Sequence, residues 1–153
     1  MRQSQALRCD ASIDGVPPPA DYQVVLGAVA LPSSPRSRAL QAAASGGGSD
    51  VPALFAKTGL VIRAGVPAEL EVGGTEGNRV GIGWGGGPSW PTRRVEIPAC
   101  PDTRGTGWLA YPGGYWADRP FCLSLAVRSL GKEQQVRIGI GRACPGQQPP
   151  VVP

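Results

Sequence analysis

The stretch that decides the fold is FCLSLAVRSL at 121–130, followed by GK at 131–132 and EQQVRIGIG at 133–141. Leu123, Leu125 and Val127 alternate with Ser124, Ala126 and Arg128, while Val136, Ile138 and Ile140 alternate with Arg137 and Gly139. Successive strand residues point to opposite faces, so each run presents one apolar face. Two such runs across a glycine turn read as an antiparallel hairpin with both apolar faces on one side. With the turn centred on Gly131-Lys132, Cys122 stands opposite Gly141.

The same alternation recurs upstream. Leu70 and Val72 alternate with Glu69 and Glu71, Val80, Ile82 and Trp84 with Arg79 and two glycines, and Val95 and Ile97 with Arg94 and Glu96. Further strands are expected over Gln5–Ile13, Asp21–Leu31, Ala53–Arg63 and Gly107–Tyr111, the last ending in the turn Pro112-Gly113-Gly114. Only Arg36–Ala44 carries helix-forming residues, enough for two turns. Eight or nine short strands at intervals of about ten residues predict an all-β chain, an antiparallel β-sandwich with a small barrel as the alternative. The domain spans 1–144, with a flexible excursion at 33–50. PGQQPPVVP at 145–153 reads as a Pro-rich tail.

Composition agrees. The chain has 153 residues, 23 of them Gly and 17 Pro, with 41% hydrophobic and 17% charged residues. One domain is the natural outcome of that length, and the Gly and Pro content excludes a helical bundle. There is no histidine, which removes every serine or cysteine nucleophile with a histidine base and every imidazole-dependent metal site. No apolar run reaches the ~20 residues of a membrane-spanning helix. The net charge is +4, from 13 Arg and 2 Lys against 11 acids. Its basic residues are scattered, Arg93-Arg94 being the sole adjacent pair, so nucleic acid is not an expected partner.

Cys9, Cys100, Cys122 and Cys144 form an even set without a C-x-x-C pair. That spacing favours two disulfides in an oxidising compartment over zinc. In the hairpin register above, Cys144 lies three residues beyond the partner of Cys122, roughly 10 Å along the strand. Disulfides need Cα atoms within about 7 Å. The expected pairing is therefore Cys100–Cys122 and Cys9–Cys144, unless the chain reverses sharply after Gly141. Met1–Cys9 has arginines and no apolar core, so no signal peptide is read there. Arg8 stands where a lipid-anchoring signal needs a small residue. Export is expected of a mature form.

Motifs add little chemistry. GIGWGG at 81–86 satisfies G-x-G-x-x-G, but Pro88 and Pro91 preclude the helix that a dinucleotide site requires. GPSWP at 87–91 starts like a nucleophile elbow yet lacks its last glycine. The acids Glu69, Glu71, Asp102 and Asp118 show no spacing that marks a catalytic carboxylate pair. No enzyme, cofactor or metal site is expected. Aromatics are more suggestive. Trp84 continues an inward face and is assigned to the core. Trp90, Trp108, Tyr111, Tyr115 and Trp116, with Asp118 and Arg119, are the candidate binding residues, a loop surface for sugar rings or a protein hot spot.

FAKTGLVIRAG, RVGIGWG, GWLAYPGGYW, DRPFC and VRIGIGRAC, together spanning Leu54 to Cys144, resemble exported proteins of uncharacterised function from high-GC Gram-positive bacteria. The resemblance implies an extracytoplasmic location and no catalytic residue. Together these readings predict a non-enzymatic, disulfide-stabilised envelope or surface domain with a protein partner. A carbohydrate-binding module acting on a cell-wall glycan through the loop aromatics is the alternative, and a carboxylate-pair hydrolase ranks third.

Overall fold

The computed structural model describes residues 2–74, 77–85 and 91–151. It is all-β, with 46% strand and 4% helix. The hairpin at its C-terminal end is present: β12 (Phe121–Ser129) pairs antiparallel with β13 (Lys132–Ile140). The turn, however, is Leu130-Gly131, both at positive φ, so Ser129 faces Lys132 and Cys122 faces Gly139. That geometry suits the right-handed twist of the strands. The apolar faces still coincide, because a two-residue shift preserves the alternation, and Leu123, Leu125, Ile138 and Ile140 are fully buried.

Nine strands form the larger sheet. Its order from β13 is β12, β7 (Ala68–Gly73), β9 (Thr92–Ile97), β8 (Val80–Trp84), β11 (Gly113–Ala117), β5 (Leu54–Lys57) and β4 (Ala43–Ala44). The ninth strand, β1 (Arg2–Ala6), runs parallel to β9. β8 and β9 share a single register pair, Ile82 with Thr92. Gln5 of β1 grips the end of β8 there: its amide accepts from the Trp84 N–H at 3.2 Å and donates to the Trp84 carbonyl. The smaller sheet runs β10 (Trp108–Tyr111), β6 (Leu60–Arg63), β3 (Val29–Leu31), β2 (Gln23–Val25).

Two expected strands prove to be pairs. Asp21–Leu31 is a tight hairpin, β2 to β3, because Leu26 and Gly27 both adopt positive φ. Ala53–Arg63 leaves the large sheet as β5 and enters the small one as β6. Trp108–Ala117 makes the same passage alongside it, as β10 and β11, so Pro112-Gly113 is a corner between sheets, not a turn. Strands that switch sheets at a bend are how two β-layers share a corner. Backbones close tightly there. A Cβ on Gly113 would lie 2.1 Å from the Gly83 carbonyl oxygen, and one on Gly114 would lie 2.2 Å from that of Ala56. The large sheet thereby curls into a half-barrel.

Arg36–Ala44 is not helical. Leu40 bridges β13, its N–H donating to the Gly139 carbonyl at 2.8 Å and its carbonyl accepting from Gly141 at 2.8 Å. Three residues later Ala43 pairs with Phe55 of β5. One short segment thus touches both edges of the large sheet, which satisfies backbone groups that two open edges would expose. Tertiary pairing overrides the helix propensity of its alanines. The short 3₁₀ turns lie elsewhere, at Cys9–Ala11 and Gly48–Asp50.

The disulfide pairing expected from the hairpin is corrected. The bridges are Cys9–Cys100 and Cys122–Cys144, with Cα separations of 5.4 and 5.1 Å, and neither Cys9–Cys144 nor Cys100–Cys122 exists. The reason is a reversal after β13. Gly141 takes φ +67°, and the returning chain lays the Arg142 carbonyl so close that a Cβ on Gly139 would meet it at 2.4 Å. Only glycine admits both the left-handed step and that approach. Two intramolecular disulfides indicate an oxidising environment, extracellular or periplasmic. Among the described residues no helix is long and apolar enough to cross a membrane.

Candidate functional site

The described aromatics among those singled out from the sequence are packing residues. Tyr115 and Tyr111 are 0% exposed and Trp116 6%. The Tyr115 ring meets Trp84 edge-on at 5.2 Å, and burial raises its phenol well above the usual tyrosine range. Trp84, in the core as expected, donates its indole N–H to the Thr58 carbonyl at 2.9 Å. Tyr111 donates to the Cys9 carbonyl at 3.0 Å. Trp108 lies on the outer face of the small sheet with Ala30 and Val61, covered by the Arg63 guanidinium at 4.2 Å. Trp90 lies outside the described residues. Strand alternation therefore divides the expected cluster: Tyr111 and Tyr115 enter the core, Trp108 takes the opposite face.

Asp118 and Arg119 serve as ties. Asp118 binds Arg79 at 2.9 and 3.0 Å, and this guanidinium holds its carboxyl below the usual aspartate range. Arg79 also donates to the carbonyls of Ser49 and Val51, which fastens the excursion at 33–50 to the sheet. The Arg119 carbonyl accepts from Asn78 at 3.3 Å. Glu69 and Glu71 are bridged by one cation, Arg128, at 2.8 and 2.7 Å. Asp102 accepts from the N–H groups of Gly105 and Gly107, closing a loop. Among the described residues no cluster of metal-ligating side chains occurs.

Sequence reasoning passed over the groove that the edge-bridging segment creates. β5 carries Phe55 and Lys57 on one face, and Phe55 rests on Trp116, ring centroids 4.6 Å apart. Facing them runs 38–44, with Arg38 and Leu40. The third wall is the Pro-rich end of the chain. Gln148 accepts from the Ala39 N–H at 3.0 Å, Gln147 donates to the Ser37 carbonyl, and Gln41 donates to the Val151 carbonyl. Between these walls lies a groove of about 1100 Å³, mostly apolar, with two cations and no carboxylate among its described lining residues. The Cys122–Cys144 bridge anchors the third wall at its base. No local signal in the sequence marks this site, since its walls come from three separated segments.

No family model matches the chain, and no curated protein matches it in sequence.

Proposed function

We propose that the protein is a non-enzymatic, extracytoplasmic β-sandwich domain of the cell envelope or surface that binds an extended protein segment in the groove beside β5. The observation that carries this reading is the groove's composition: an apolar floor around Phe55, Leu40 and Val151, flanked by Arg38 and Lys57 without an opposing acid among the described lining residues. An apolar strand of peptide ending in a carboxylate matches that lining in shape and charge. The two disulfides support the location, and Cys122–Cys144 holds the third wall in place before binding, which lowers the ordering cost. Of the loop aromatics considered for carbohydrate binding, Trp108, Tyr111, Tyr115 and Trp116 are buried, which weighs against that alternative.

An array of ten-residue apolar peptides, presented with either free or amidated C-termini, tests the proposal. Free-carboxylate peptides are expected to bind saturably, and the variant R38E/K57E to lose them while melting at the wild-type temperature. Equal capture of amidated peptides, or undiminished binding by R38E/K57E, refutes it.

A further inference from the structure

We propose a second site, for an anionic polyol chain bearing carboxylate or phosphate, on the outer face of the β12–β13 hairpin and the bend that follows it. It shares no residue with the peptide groove and stands independently of that reading. Two depressions adjoin there, of about 650 and 520 Å³, with Ser124 and Arg137 common to both. Ser124 and Arg137 are cross-strand neighbours, so their side chains share one face of the hairpin. Arg36 borders the first depression and Arg142 the second. Neither contains a carboxylate among its described lining residues.

These arginines differ from Arg79, Arg94 and Arg128, which are all ion-paired with carboxylates. Arg137 and Arg142 are exposed, and among the described residues their side chains meet no acid. Arg36 is exposed and donates Nε and Nη2 to the Ala20 carbonyl. The acids of the same hairpin face gather at its opposite end, where Glu69, Glu71 and Glu133 surround Arg128. Charge is thus segregated along one surface, and among the described residues the basic end has no acidic partner.

The neutral lining narrows the ligand. Gln23, Gln134, Gln135, Ser34 and Ser124 offer amides and hydroxyls, which match the hydroxyl groups of sugars as both donors and acceptors. Guanidinium groups match carboxylate or phosphate through paired N–H donors. A nucleic acid strand would need rings for its bases to stack on, and among the described lining residues the only one is the half-buried Phe121. A protein partner would favour large aromatic anchors, and among the described lining residues the apolar groups are small or partly buried apart from Pro35 and Pro145. The frame is rigid. Ser34 donates its N–H to the Arg137 carbonyl at 2.8 Å, and the Cys122–Cys144 bridge fixes the bend that carries Arg142.

Titration calorimetry with the whole protein decides the matter, using a galacturonate hexamer, a glycerol-phosphate hexamer, neutral maltohexaose, hexaglutamate and hexathymidylate. At least one of the first two is expected to bind saturably and more weakly in high salt, and the tighter of them identifies the anion. Maltohexaose should not bind. R137Q/R142Q should lose about tenfold or more in affinity, with unchanged melting temperature and unchanged peptide capture in the groove. Failure of both anionic polyols to bind overturns the proposal. So does equal binding by R137Q/R142Q, or hexaglutamate or hexathymidylate binding as tightly, which would reduce the site to undirected charge.

Discussion

Removing the Cys122–Cys144 bridge should separate the stability of the fold from the shape of its groove. That bridge joins residues 22 apart in sequence, against 91 for Cys9–Cys100. Loop-closure entropy in the unfolded chain makes the longer closure worth about 4.6 kcal/mol at 25 °C and the shorter about 3.4 kcal/mol. A domain of ordinary stability, about 5–15 kcal/mol, survives either loss. Function should follow the opposite order. C122A/C144A frees the residues that form the third wall of the groove, which otherwise depend on a few hydrogen bonds from Gln41, Ala39 and Gln147. C9A/C100A loosens the region under Tyr111, away from that wall. Guanidinium unfolding of both variants, with equal slopes confirming a common unfolded state, should rank C9A/C100A lower by about 1 kcal/mol. Peptide titration of the same samples should show binding kept by C9A/C100A and lost by C122A/C144A. Intact binding in C122A/C144A would refute the anchoring role, and a reversed stability order would refute the entropic argument.

Other substitutions test the fold at single residues. Trp116→Ala should cost about 3–5 kcal/mol, the loss typical of a buried aromatic, and an unshifted thermal melt would return Trp116 to the surface. Asp118 has its native pKa below the usual value of 3.8 through Arg79. Its contribution is complete above that value and disappears as pH falls through the native one. The stability gap between wild type and Asp118→Asn should therefore hold from pH 7 to about pH 5 and close toward pH 2; a gap independent of pH would sink this assignment. Gly139→Ala places a methyl group against the Arg142 carbonyl, so refolding under oxidising conditions should leave titratable thiols at Cys122 and Cys144, whereas full oxidation at the wild-type rate would contradict it. Leu130 is 76% exposed at φ +50°. Leu130→Asn should stabilise by about 0.5–1 kcal/mol, because asparagine tolerates that backbone region, and a chemical denaturation midpoint below wild type would count against the turn.

Much of the strand content was legible because alternation is a local signal. The β7, β9 and β12–β13 segments show it plainly, and each buries the face that the pattern indicates. Turns were less legible. Leu26-Gly27 and Leu130-Gly131 make left-handed pairs without the Asn or Asp that usually announces them, so alternation alone runs through the first as one strand and places the second one residue too late. Helix propensity at Arg36–Ala44 misled for a related reason. Alanine favours a helix only where no sheet edge competes for its backbone groups, and here two edges do.

The amino-acid sequence by itself determined an all-β chain with paired cysteines, since both follow from local periodicity and from counting. Which cysteines pair, which rings face inward and where a groove opens were decided by tertiary structure alone. Each depends on a reversal or a passage between sheets that moves distant residues by many ångströms: the bend at Gly141, the corner at Gly113, the crossing after Lys57. A strand's pattern reports which side is apolar, but not which sheet lies opposite. That is settled only when backbone hydrogen bonds and core volume are satisfied across the whole chain at once.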